Sequence, residues 1–66
     1  YQLLVPRGKY HGLMLEIKSP GKKPTLEQRT LLAVLGSQGY MAAWAAGFED
    51  SWAIVENYMQ LGEYTA

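Results

Sequence analysis

Sixty-six residues, no cysteine, one histidine and a formal net charge of zero set narrow limits. A chain this short buries only about 60% of the surface that its unfolded form exposes, so it builds one small domain with a marginal core. Without cysteine neither a disulfide framework nor a thiolate metal site is available, and His11 alone cannot make a zinc site of several imidazoles. Oligomerisation, a bound ion or further chain remain as sources of added stability.

The zero net charge conceals an uneven distribution. Residues 1–29 hold all six basic side chains (Arg7, Lys9, Lys18, Lys22, Lys23, Arg29) against Glu16 and Glu27, a net +4. Residues 30–66 hold Glu49, Asp50, Glu56 and Glu63 and no basic residue, a net −4. A basic half of this kind suits a phosphate-binding face, and equally suits a solvated surface that happens to be basic. No apolar run approaches the roughly 18 residues of a membrane span, and no signal-peptide pattern is present. A soluble chain in an intracellular setting is expected. The chain opens at Tyr1 and runs straight into Leu3-Leu4-Val5. An unpaired sheet edge at a domain's start invites aggregation, so a fragment or the C-terminal part of a longer polypeptide is expected.

In chain order, residues 2–5 read as a short strand, and Pro6-Arg7-Gly8-Lys9 has turn chemistry. A second strand over residues 10–18 completes a hairpin. Arg7 and Lys9 at its tip are candidates to clamp a nucleic-acid backbone, although charge at a tip also serves solubility alone. His11 reads more readily as a packed or hydrogen-bonded residue than as a base, and Gly12 as a bulge or a close backbone approach. From Leu13 the alternation is strict. Leu13, Leu15 and Ile17 form an apolar face for a core, and Met14, Glu16 and Lys18 form the other. Ser19-Pro20-Gly21-Lys22-Lys23-Pro24 is a loop that offers two more lysines.

Thr25-Leu26-Glu27-Gln28 fits a capping box, with Thr25 as N-cap and Gln28 at the third helical position. The helix that follows is expected to bury Leu31, Leu32, Val34 and Leu35 and to stop near Gly36 to Gly39. Residues 40–46 are apolar throughout and read as a strand buried on both faces. A second helix opens with Glu49 and Asp50 in its first turn, where exposed amides favour negative charge. Phe48, Trp52, Val55 and Met59, widened by Ile54, Tyr58 and Leu61, read as its core stripe and not as a base-stacking platform. Gly62 is expected to end it and the last residues to fray. The order is β-β-α-β-α, with a right-handed strand–helix–strand crossover.

Glu16-Ile17-Lys18 carries the chemistry. Hydrolysis of a phosphodiester needs a cation to polarise the phosphoryl oxygen and to activate water, and it needs charge stabilisation in the transition state. The Glu16 carboxylate suits Mg²⁺ or Mn²⁺, and the Ile17 carbonyl would add a second oxygen. Lys18 is placed to orient the water or to neutralise charge. Gln28 is placed to reach back toward that water. An exposed acid–base pair two residues apart is also an ordinary sheet-face ion pair, and Gln28 is accounted for by the capping box alone. What lifts the motif is its position: the end of a hairpin's second strand, before a lysine-rich loop and a helix opening Thr-x-x-Gln.

The run Tyr10-His11-Gly12-Leu13-Met14-Leu15-Glu16-Ile17-Lys18, with Lys23-Pro24-Thr25-Leu26-Glu27-Gln28 and Gln38-Gly39-Tyr40, resembles the virus-type replication-repair nuclease (VRR-NUC) domain of the PD-(D/E)XK superfamily. The resemblance covers nearly the whole chain. It implies an α/β fold, a mixed sheet flanked by helices as in restriction-endonuclease cores. It also implies a Mg²⁺- or Mn²⁺-dependent DNA endonuclease with branched or junction DNA as substrate. Small phage members act as homodimers, which implies a homodimer in the cytoplasm of a bacterium or phage-infected host. Glu16 and Lys18 match the family's E-x-K motif and Gln28 its helix glutamine. Arg7, Lys9, His11, Lys22 and Lys23 are the candidate DNA contacts, and Glu16 and Ile17 the candidate metal ligands. The family's metal-binding aspartate lies in a Pro-Asp pair just before the hairpin. The first acidic residues here are Glu16 and Glu27, with no aspartate before Asp50. The family's first helix has no counterpart either, so the chain is expected to hold part of an active site, with weak metal binding and poor or no cleavage. Two rival readings are a non-catalytic DNA-binding module and a small α/β protein-interaction domain that docks through its apolar first strand.

Overall fold

The computed structural model describes residues 1–65. Its elements follow the expected order: β1 (Gln2–Leu3), β2 (Leu13–Lys18), α1 (Leu26–Ser37), β3 (Met41–Ala46) and α2 (Phe48–Met59). They form one mixed sheet in the order β1-β2-β3. β1 runs antiparallel to β2 with Leu3 opposite Leu13, and β3 runs parallel to β2 with Leu13 opposite Met41 through Lys18 opposite Ala46.

β2 is therefore central, and its alternation divides the molecule. Leu13 and Leu15 face α2 and join Ala45 and Tyr58 in the buried core, with Leu3, Tyr10, Met41, Ala43, Ile54, Val55 and Leu61 packed around them. Complete burial of a side chain such as Leu13 is worth about 1.5–3 kcal/mol. Ile17 was expected in this core and is 51% exposed. β1 pairs only with Leu13 and Met14, and α2 begins beside Ile17 with its aromatic rings turned outward.

Both hairpin strands are shorter than the sequence suggests, the first ending at Leu3 and the second starting at Leu13, because the main chain between them is bonded elsewhere. The Val5 carbonyl accepts from the Tyr58 hydroxyl at 2.6 Å, and the His11 N–H donates to the Gly39 carbonyl at 2.7 Å. The turn over residues 6–9 is present, closed by reciprocal bonds between Arg7 and Tyr10 of 3.1 and 2.9 Å. Gly12 marks a close backbone approach: a Cβ there would sit 2.9 Å from the Leu3 carbonyl oxygen. Gly39, at φ +94°, follows α1 and would drive a Cβ into the His11 ring.

The helices bury only part of the stripes expected of them. α1 buries no residue; of the four residues expected inside, Leu31 and Val34 are exposed and Leu32 and Leu35 are half-buried. A three-stranded sheet with alanines at 42 and 46 offers little for a broad stripe to enter, so α1 docks along the narrow row Gln28-Leu32-Leu35. In α2 the inward positions are Ser51, Ile54, Val55 and Tyr58, while Phe48 is 79% and Trp52 53% exposed. Ser51 is tolerated inside because its hydroxyl donates to the Gly47 carbonyl at 2.7 Å. β3 is not buried on both faces either, since Trp44 is exposed and Ala45 alone is buried.

α2 ends at Met59, and residues 60–65, expected to fray at their end, are hydrogen-bonded back onto the turn. Gly8 donates to the Gly62 carbonyl at 2.8 Å and accepts from the Thr65 N–H at 2.7 Å. The terminal segment thus holds the turn through both main-chain groups of Gly8. Burial pushes the Tyr58 phenol above its ordinary value of 10.0, against opposing pulls from a backbone hydrogen bond and from Arg7.

Replacing Tyr58 by Phe deletes the bond to Val5 and leaves that carbonyl unpaired, a loss of about 1–3 kcal/mol readable by urea denaturation. Because the folded state favours the neutral phenol, its contribution is fully present below the unfolded value and is lost as pH climbs through the higher folded one. Wild-type stability is expected to fall above about pH 10, and the Tyr58→Phe protein to lack that component of the decline.

Candidate active site at the end of the central strand

Glu16 and Lys18 project from the same face of β2, beneath the start of α1. Lys18 Nζ lies 3.4 Å from Glu16 Oε1, with the Lys18 side chain 20% and the Glu16 side chain 37% exposed. Gln28 Nε2 donates to the same oxygen at 3.1 Å. The three residues singled out for chemistry therefore meet at one atom. Since Oε1 takes both contacts, Oε2 is left without a protein partner among the described residues.

α1 delivers Gln28 by local means. Thr25 caps the helix, its hydroxyl accepting from the Gln28 N–H at 3.2 Å, and the Thr25 N–H donates to Gln28 Oε1 at 2.9 Å. The two roles considered for Gln28, completing the cap and reaching the site, are held at once, because an amide has an oxygen for one and an NH₂ for the other. The preceding loop is pinned by Lys22 N–H to the Ser19 carbonyl at 3.0 Å, by burial of Pro24, and by Arg29 Nε to the Pro24 carbonyl at 3.4 Å.

The Ile17 side chain points to the opposite face, and its main chain points to the sheet edge. The Lys18 carbonyl accepts from Gly47 on the β3 side, whereas Leu15 exchanges two bonds of 2.8 Å with Tyr1 on the β1 side. Alternation then puts the Ile17 carbonyl on the β1 side, one step beyond Tyr1. Glu16 Oε2 and this carbonyl are two hard oxygen donors at the same end of one strand. Glu49 and Asp50 start the neighbouring helix but do not join them. No group of three or more His, Cys, Asp or Glu side chains suited to a metal occurs among the described residues.

The candidate DNA contacts divide in two. Lys22 and Lys23 lie in the loop between Lys18 and Gln28, exposed. Arg7, Lys9 and His11 lie past the other end of β2, whose six residues span about 17 Å at roughly 3.3 Å per residue. Lys9 Nζ sits 5.6 Å from the centre of the Tyr10 ring. His11 is exposed, edge-on to Tyr40 and 3.2 Å from the Tyr64 hydroxyl through Nδ1.

One flanking residue escaped the sequence reading. Trp44 is in register with Glu16, so its half-open side chain stands beside the carboxylate. Only the pairing of β2 with β3 reveals that proximity. A shallow groove of about 130 Å³ runs from Glu16 along Met14, Leu31, Leu32 and Leu35 to Tyr1 and Gln2. The larger cavity, about 230 Å³, is on the other face, where Tyr1, Leu15, Ile17, Phe48, Ser51, Trp52 and Val55 line it. It is apolar and does not reach the Glu16 carboxylate.

A mixed sheet whose central strand ends in Glu-x-Lys, under a helix that supplies an amide, defines a PD-(D/E)XK nuclease-like core. No protein-family model and no curated protein sequence matches the chain. A solved structure described as a "VRR_NUC domain protein" does match, with a TM-score of 0.91 and 32% identity over 97% of this chain. The chain is accordingly a VRR-NUC-like domain. It spans about half, 53%, of that structure's length.

Because the Glu16–Lys18 pair is partly solvent-screened, it contributes little to folding. Lys18→Ala is expected to shift the unfolding free energy by less than about 1 kcal/mol, checked by urea denaturation. An effect of this substitution on DNA chemistry would then not reflect unfolding.

Proposed function

We propose that this domain is the core of a metal-dependent DNA endonuclease that cleaves branched DNA. The observation that carries the reading is the meeting of Lys18 Nζ and Gln28 Nε2 on Glu16 Oε1. The donor set fits Mg²⁺ or Mn²⁺: a carboxylate oxygen and a main-chain carbonyl, the remaining positions filled by water and substrate phosphate. Glu16 Oε2 and the Ile17 carbonyl would hold the ion. When bound, such an ion polarises the phosphoryl oxygen and lowers the pKa of the attacking water.

The protein's own groups supply the rest. Lys18 balances the negative charge that grows on the phosphate as the bond breaks, and it neutralises Glu16 when substrate is absent. Gln28 holds the carboxylate in one rotation. Lys22 and Lys23 grip phosphates next to the cut, while Arg7 and Lys9 meet the backbone farther along the duplex. Exposed Tyr1, Ile17, Phe48 and Trp52 on a core this small support a homodimer. Among the described residues no helix is long and apolar enough to cross a membrane. The bacterial or phage-infected cytoplasm is the setting this reading implies.

A second reading, a DNA-binding module without catalysis, is favoured by the absence of a cluster of metal-ligating side chains among the described residues. Incubation with a four-way junction, a flayed duplex and a linear duplex, with Mg²⁺, Mn²⁺ or chelator, separates the two. In a polypeptide that carries this domain together with the metal-binding aspartate, the endonuclease reading expects metal-dependent cleavage of the branched substrates, reduced about 100-fold or more by Lys18→Ala and by Glu16→Ala. Junction binding without cleavage by that polypeptide, indifferent to Lys18→Ala, would establish the second reading instead. In either case log K should fall linearly with log salt, and Lys22→Ala or Lys23→Ala should each reduce the slope by about 1. Sedimentation equilibrium of the same samples tests the dimer.

A further inference from the structure

The Gln28 amide is held from two sides, and its neighbours allow it one orientation. The Thr25 N–H can only donate, so the atom facing it at 2.9 Å is the amide oxygen. An ionised Glu16 can only accept, so the atom facing its Oε1 at 3.1 Å is the amide nitrogen. Turned over, the amide would set oxygen against carboxylate and NH₂ against N–H. The Thr25 hydroxyl is engaged separately, accepting the Gln28 N–H at 3.2 Å as the helix cap.

From these contacts the structure assigns a positioning role to the main-chain N–H of Thr25. It fixes the Gln28 amide and, through it, the rotation of the Glu16 carboxylate. Lys18 and Gln28 then share Oε1, and Oε2 stays free for a hard cation. The cation part rests on the nuclease reading above, whereas the amide geometry stands by itself. Thr25 lies outside the Glu-x-Lys motif and does not touch Glu16. Its contribution comes from a main-chain group, so alanine substitution would not remove it.

Proline removes it. Thr25 sits at φ −67°, the value that proline's ring imposes, so Thr25→Pro deletes the N–H while matching the backbone. Thr25→Ala deletes the hydroxyl and the methyl and keeps the N–H. Both variants lose the side-chain cap, and the difference between them isolates the N–H. The readout is Mn²⁺ affinity, taken from paramagnetic broadening of the amide signals of residues 16–18 in ¹⁵N–¹H spectra. Thr25→Pro is expected to bind Mn²⁺ about tenfold more weakly than Thr25→Ala, the low end for groups that orient a metal ligand. Gln28→Met should match Thr25→Pro, and the double variant should be no weaker than Gln28→Met, because the N–H acts through that amide. Equal affinity of Thr25→Pro and Thr25→Ala, or losses that multiply in the double variant, would overturn the assignment.

A measurement on the unaltered chain does not depend on the variants folding. A through-hydrogen-bond coupling between the Thr25 amide nitrogen and the Gln28 side-chain carbonyl carbon is expected, and its absence overturns the assignment directly. Glu16→Gln provides the separate control. If Mn²⁺ affinity does not respond to it, the nuclease reading fails, and the coupling alone decides the role of Thr25.

Discussion

β2 is hydrogen-bonded on both sides and packed on both faces, and this double commitment organises the other elements. Its inward residues, Leu13 and Leu15, supply half of the buried core and hold α2. Its outward residues, Glu16 and Lys18, sit under α1. Shifting the strand by one residue would exchange the faces, placing a carboxylate and an ammonium against Tyr58. Desolvating those charges would cost more than the core could offset. Register is therefore fixed by the core, and the position of the candidate site follows from it. The parallel partner β3 keeps the same register along all six residues, which carries Trp44 to Glu16 and Gly47 to Lys18.

The parts legible in the sequence were those set by local rules. The alternation over residues 13–18, the Thr-x-x-Gln cap, the turn at residues 6–9 and the acidic first turn of α2 each depend on neighbours a few positions away. All are present in the structure. The convergence of Glu16, Lys18 and Gln28 was legible because one strand and one cap place all three. What the sequence did not show depends on how much sheet is available to bury against. Ile17 alternates correctly and is still exposed, since neither β1 nor α2 covers it. In α2, Ile54, Val55 and Tyr58 were read correctly as inward, whereas Phe48 and Trp52 were added to the stripe because they outrank Ser51 in hydrophobicity. Burial follows helix phase, and a serine satisfied by the preceding turn can occupy an inward position.

The same limit explains how the ends are secured. With so few residues inside, the fold relies on hydrogen bonds to the main chain over long sequence separations. Tyr58 reaches Val5, Thr65 reaches Gly8, and Tyr1 pairs with Leu15. Each closes a large loop, and the entropic penalty of closure grows only logarithmically with loop length. A few well-placed bonds can therefore hold a small domain where apolar area cannot. This is why residues 62–65 are bonded to the Gly8 turn although their composition reads as a frayed end. It also keeps the Arg7–Lys9 turn in a fixed place, at the opposite end of β2 from Lys18.

Sharing Gln28 between a helix cap and the Glu16–Lys18 pair has an energetic logic. Immobilising a glutamine side chain costs about 1.5–2 kcal/mol in rotamer entropy, and a surface contact to a half-exposed carboxylate would hardly offset that. In this chain the capping box already orders the side chain as α1 forms, so the bond to Glu16 requires no further ordering. The carboxylate's rotation is thereby coupled to the first turn of the helix. Fraying of that turn would release Gln28 and Glu16 together. A site built in this way is assembled by secondary structure and not by a deep core, which suits a domain with too few residues to enclose one.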